Sequence, residues 1–142
     1  MTTRAQVVAE ARSWVGTPWM HQQRVKGIGI DCIGLIICVA RDLGLSPPGT
    51  DFTGYGRRPD GKMLSLCDEH MVRIRRDDLQ PGDVLVMAIE HDPQHMGIVG
   101  DYRHGGLSLI HAASKAGKVV ETRLMFARNL VFRGAYALPG VV

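Results

Sequence analysis

Cysteine is sparse, the apolar runs are short, and charge of one sign never dominates. Three cysteines, Cys32, Cys38 and Cys67, cannot all pair, and they make no disulfide framework for 142 residues. The longest apolar run, Ile33 to Ala40, falls far short of the roughly 20 residues a membrane span needs. The opening Met-Thr-Thr-Arg-Ala-Gln lacks a basic stretch followed by an apolar one, so no classical secretory signal is expected. A net charge of +3 and a pI near 9.0 are too small to argue for nucleic acid. The 17 Gly and 7 Pro are scattered without a period, which excludes low complexity and solenoids.

What is present is globular: 45% hydrophobic and 22% charged. A chain of this length buries about 68% of its unfolded surface, enough for one core without staples. One domain over residues 1–142 is therefore expected.

The first half reads as helical. Thr3 and Gln6 form a capping box, and Val7, Val8, Ala11, Trp14 and Val15 recur at helical spacing, which predicts a helix over 3–15 closed by Gly16 and Pro18. Residues 17–30 read as a loop. A second helix is predicted over 32–43, with Asp31 as N-cap and Gly44 beyond its end. Its apolar residues cover most of the circumference, so neighbours should bury it on most sides. A short third helix is predicted over 63–70. The period then changes. Gln80-Pro81-Gly82-Asp83 is a turn signature, and strands are predicted over 84–89, 95–101, 107–112, 119–122 and 131–136. Residues 123–129 are ambiguous. Helices first and an antiparallel meander afterwards give an α+β class, with the core helix on one face of about five strands.

Cys32 is the most informative residue. In the first turn of a helix its sulfur lies near unpaired N–H groups and the positive end of the dipole, which favours thiolate. Asp31 would oppose that charge unless its carboxylate turns to backbone N–H groups, as an N-cap does. The alternative is a small buried hydrophobe, which fits Cys38 and Cys67; for Cys32 a partner base has to decide. If Cys32 and Cys38 share a helix they stand roughly 9 Å apart along its axis, beyond the ~7 Å limit for a disulfide.

Two histidines can supply that base. A hairpin centred on His104 pairs positions summing to 208, so His111 faces Gly97, with His95 one diagonal step away on the same face. Diagonal side chains lie about 7–8 Å apart by backbone, within reach of two rings. A cysteine at a helix start beside two such histidines is what a nucleophile, base and orienting group require. His91, Asp92 and His95 invite a zinc reading, but Pro93 breaks the helix it needs, and no metal is expected. His21, His70 and His104 read as solvated, with His21 close enough in sequence to Cys32 to line a cleft. Gly27 and Gly29 are too few for a nucleotide loop, and Arg57-Arg58 and residues 73–76 read as solvated basic patches.

Val15-Gly16-Thr17-Pro18-Trp19, Ile30-Asp31-Cys32-Ile33-Gly34-Leu35, Pro81-Gly82-Asp83-Val84-Leu85, His95-Met96-Gly97-Ile98 and Ile110-His111-Ala112 occur in one order along the chain. Together they resemble the NlpC-type cysteine peptidases, papain-like cell-wall endopeptidases. The resemblance spans roughly residues 4–136. It implies a papain-like fold, Cys32 as nucleophile, His95 as base and His111 as third polar residue. It also implies hydrolysis of an amide in a peptidoglycan stem peptide, between D-γ-glutamate and diaminopimelate or lysine. Trp19, His21, Asp31 and Ile33 are then the substrate-binding candidates. The family usually carries Tyr at Trp19 and often Ser at Ile33, departures that bear on rate and on stem-peptide preference.

The stretch Trp19-Met20-His21-Gln22-Gln23-Arg24 resembles the subgroup found in phage tails and gene transfer agents. It implies a virion component assembled in the cytoplasm with tail-tip partners. No cofactor, nucleic acid or membrane is expected. Two rivals compete with the peptidase. A non-catalytic tail or wall-binding module would carry an inert Cys32. An acyl transferase or thioesterase would need a long apolar groove, and residues 17–30 are not apolar enough to suggest one.

Overall fold

The computed structural model describes residues 1–47, 49–55, 62–89, 92–127 and 129–142, without the side chains of Asp92 and Pro93. Helix α1 (Arg4–Arg12) begins at the capping box: Gln6 N–H donates to Thr3 Oγ1 at 3.1 Å, and Thr3 N–H donates to Gln6 Oε1 at 2.8 Å. It stops at Arg12, earlier than the spacing predicts. Residues 13–16 turn instead, ending in Gly16 at φ +92°, while Trp14 stays buried. Helix α2 (Cys32–Asp42) has Asp31 as N-cap and Gly44 at φ +70° beyond its end. Helix α3 spans Lys62–His70.

The loop expected over 17–30 holds a small hairpin, β1 (Arg24–Val25) with β2 (Gly29–Ile30). Two-residue strands are too short for a period to reveal. The main sheet has six antiparallel strands: β3 (Val72–Ile74), β4 (Val84–Ile89), β5 (Asp92–Asp101), β6 (Leu107–Ala113), β7 (Lys118–Arg123) and β8 (Leu130–Ala137). Their order is β3-β8-β4-β5-β6-β7, which corrects the simple meander. The last strand crosses back to pair with β4, and β3, unpredicted, pairs with its far edge.

The β5–β6 register pairs Ile98 with Ile110 and Asp101 with Leu107, each summing to 208, as the hairpin centred on His104 requires. Even-numbered residues Met96, Ile98, Ile110 and Ala112 join Val7, Ala11, Leu35 and Val39 in the core where α1 and α2 pack on β5. The odd-numbered Val99 and Leu109 build a second apolar layer with Leu85, Met87 and Leu130. Turn 80–83 is tied to α1. Asp83, wholly buried, accepts from Arg4 at 2.6 Å and from Gln80 N–H at 2.8 Å.

Candidate active site

The segment that leads to Cys32 is clamped on both sides. On one side Gly16 N–H donates to Val119 O at 2.9 Å, Val119 N–H to Thr17 O at 2.8 Å, and Trp19 N–H to Gly117 O at 2.8 Å. On the other, Ile30 N–H donates to Pro18 O at 3.0 Å and Met20 N–H to Ile30 O at 3.0 Å. Pro18 suits this position because it has no N–H to lose. The Val15–Trp19 motif is therefore a strap between β7 and β2, and β2 runs straight into the cap of α2.

Asp31 is 3% exposed, and four donors reach its two oxygens. Gly34 N–H (2.8 Å) and Arg24 Nη1 (3.0 Å) meet Oδ1; Gln22 N–H (2.7 Å) and the Tyr55 hydroxyl (2.6 Å) meet Oδ2. The carboxylate thus turns to backbone N–H groups, as the cap reading requires. Burial and then the Asp31 carboxylate push the Tyr55 phenol up, so it stays a donor. Sequence reasoning missed Arg24, Gln22 and Tyr55. They lie 7, 9 and 24 residues from Asp31 in segments without periodicity, and only the fold joins them.

His95 and His111 meet. His95 Nε2 and His111 Nδ1 are 2.7 Å apart, and the rings stand edge to face at 5.0 Å. Both are buried, at 2% and 5% exposure. Burial, and next the neighbouring His95 charge, push the His111 imidazole down to about 3. His111 is therefore neutral near pH 7 and can accept through Nδ1 a proton that His95 donates. Gly97 makes room for the pair: a Cβ there would lie 2.7 Å from Leu109 Cδ1 and 3.0 Å from His111 Cβ.

Cys32, partly exposed, opens α2 and packs on the core beneath that helix. Cys38 and Cys67 are buried; burial raises both thiols, Cys67 to about 12, so neither is a nucleophile at neutral pH. Trp19 is half-buried against the core. His21 sets its ring edge on Tyr55 at 5.6 Å, with Nδ1 4.0 Å from Asp31 Oδ2. Ile33 is buried and lines an apolar cavity of about 200 Å³ between α2 and α3, together with Ile37, Leu45, Phe52, Leu66 and Met96. His91 of the zinc reading and Arg57-Arg58 lie outside the described residues. Among the described residues no three of His, Cys, Asp and Glu converge as metal ligands do. Arg73 is not merely solvated: it donates to the Tyr136 hydroxyl at 2.9 Å.

A helix-borne cysteine, a buried histidine pair and a six-stranded antiparallel sheet define an α+β protein of the papain-like kind. The NlpC/P60 family model matches residues 14–129, and the chain belongs to that family. No curated protein sequence matches it. Among solved structures it is similar to NlpC2 from Trichomonas vaginalis, with 15% identity and a TM-score of 0.69 over 97% of this chain and 47% of that one. The chain thus spans about half the length of that protein. It is similar to the NlpC/p60 domain of the peptidoglycan hydrolase SagA, with 23% identity and a TM-score of 0.61, covering 93% of this chain and 99% of that one. An N-acetylmuramoyl-L-alanine amidase from Bacteroides uniformis is similar at 11% identity and a TM-score of 0.59, over 95% and 98% of the two chains. Identities this low carry the fold alone.

Proposed function

We propose that this chain is a cysteine endopeptidase acting on peptidoglycan stem peptides, at the amide between D-γ-glutamate and diaminopimelate or lysine. The observation that carries the proposal is the buried 2.7 Å contact of His95 Nε2 with His111 Nδ1. It orients one imidazole and leaves proton exchange with the thiol to Nδ1 of His95. Helix α2, which Cys32 opens, packs on β5, the strand that carries His95, which supports bringing the two together.

In this reading Cys32 gives its proton to His95 Nδ1, and the thiolate attacks the scissile carbonyl carbon. The backbone N–H of Cys32 helps hold the oxyanion. His95 then protonates the departing amine as the C–N bond breaks, leaving a thioester. Water attacks the thioester, His95 takes a proton from it, and the thiol is re-formed as the acid leaves. His111, neutral, accepts from the Nε2–H of His95 throughout and fixes its tautomer. Trp19 and His21 line the approach to the nucleophile in this proposal, while Asp31 caps its helix and Ile33 lines the apolar cavity between α2 and α3. No cofactor is required. The resemblance of residues 19–24 supports a setting in a phage or gene transfer agent tail, with tail-tip partners, acting on the cell wall.

Purified chain incubated with muropeptides, with products read by mass spectrometry, tests the chemistry. Release of fragments beginning at diaminopimelate or lysine is expected, and none from Cys32→Ala. Equal cleavage by that variant, or none by the natural chain, overturns the proposal; cleavage next to the muramoyl group makes it an amidase instead. The apolar cavity favours one second reading, acyl transfer. Preferential turnover of long-chain acyl thioesters over muropeptides would establish it.

A further inference from the structure

Arg24 is out of place for a cation. Its side chain is 12% exposed, and its guanidinium lies on the first turn of α2, the end where a helix already carries partial positive charge. A Cβ on Gly34 would stand 2.6 Å from Arg24 Nη1, so only glycine at this position lets the guanidinium come so close. Every polar edge of the group is engaged. Nη1 donates to Asp31 Oδ1 at 3.0 Å and to Gln23 O at 2.9 Å. Nε donates to Asp51 Oδ1 at 3.2 Å, and Nη2 to Phe52 O at 3.3 Å and to the Tyr55 hydroxyl. Burying a guanidinium costs free energy, and placing it against a helix N-terminus adds to that cost. The residue preceding Cys32 supplies the compensation, since Asp31 is itself buried and charged.

We infer that Arg24 is a positioning residue for Cys32: it cancels the Asp31 carboxylate at the start of α2, so that the positive helix end acts on the sulfur unopposed, and it ties residues 51–55 to that turn. This rests on Cys32 being the nucleophile. A lone aspartate beside the first helical residue would disfavour the thiolate that the helix end favours. With the guanidinium in place the two side-chain charges offset. The other titratable groups around this turn are Asp51, His21 and Tyr55 from the loops, and the strands on which α2 packs, β5 and β6, carry His95 and His111.

The test is the rate of Cys32 alkylation by iodoacetamide between pH 5 and 9.5 on the whole chain, read by peptide mapping so that Cys38 and Cys67 are scored separately. In the natural chain the rate should rise with a midpoint below the ordinary thiol value of about 8.5. Arg24→Gln should move that midpoint up by about one pH unit, a roughly tenfold loss of rate at pH 6.5 with the rate at pH 9.5 unchanged. Arg24→Lys, which keeps the charge and loses the fork, should lose less. Asp31→Asn retains a capping side chain and leaves Arg24 uncancelled, so it should speed alkylation at pH 6.5. The double variant Arg24→Gln/Asp31→Asn should recover most of the tenfold loss, although it has lost more native hydrogen bonds than either parent; a purely structural role predicts the opposite. Should Arg24→Gln prove unfolded, a rate for Asp31→Asn no faster than that of the natural chain overturns the inference by itself. A low midpoint indifferent to Arg24, or a double variant as slow as Arg24→Gln, overturns it too. An ordinary midpoint in the natural chain instead removes Cys32 as nucleophile, and with it the proposed function.

Discussion

His111 should make the fold sensitive to mild acid. Its imidazole is pushed down to about 3 in the folded chain, against about 6.5 when unfolded. Between those values the unfolded chain binds the proton and the folded chain does not, so stability falls as pH falls. The contribution is intact above pH 6.5 and drains away below it. From pH 7 to pH 5 the linkage amounts to about 2 kcal/mol, because the unfolded imidazole at pH 5 is almost wholly protonated and the folded one almost wholly neutral. At 5% exposure, His111 has little solvent to screen this difference. Urea denaturation at the two pH values, on the natural chain and on His111→Gln, isolates it. The natural chain should lose about 2 kcal/mol more than the variant over that interval. Equal losses would refute the reasoning, since they would mean that His111 takes up its proton in the folded chain as easily as in the unfolded one.

Gly97→Ala should damage both activity and stability, because its Cβ would press on Leu109 Cδ1 at 2.7 Å, on the Ile110 carbonyl oxygen at 2.9 Å and on His111 Cβ at 3.0 Å. A kcat on muropeptides reduced at least tenfold, together with a loss of about 1–3 kcal/mol in a denaturant titration, is the expected pattern. Asp83→Ala should cost about 2 kcal/mol in a denaturant titration. It orphans the Gln80 N–H and frees Arg4, whose 30% exposed side chain can still reach water.

Local signals carried a good part of this structure. The Thr3–Gln6 box, the Asp31 cap and Gly44 mark helix ends by short-range hydrogen bonding, which a sequence displays directly. The His95–His111 meeting was legible because a hairpin with a five-residue loop fixes its register, and register fixes faces. Strand β3 was not legible, since three residues hold too little alternation and their partners on β8, Ala135–Ala137, lie 61 to 65 residues on. The return of β8 to β4 is likewise a matter of which apolar edges meet, not of local pattern. Arg24 and Tyr55 stayed hidden for the same reason. Each looks like an ordinary loop residue until the fold sets both against Asp31. Ile33 shows a further limit: it follows Cys32 in sequence, yet the helix turns its side chain into the cavity between α2 and α3.

The strap of residues 16–19 has an effect on solubility as well as on chemistry. An open sheet offers its two outermost strands as templates for stray polypeptide. Here one flank is occupied along Gly117 and Val119 by the chain's own approach to Cys32. The opposite flank is only Val72–Ile74, too brief to seat a visitor. The same few hydrogen bonds that deliver the cysteine also protect the molecule against strand-to-strand aggregation.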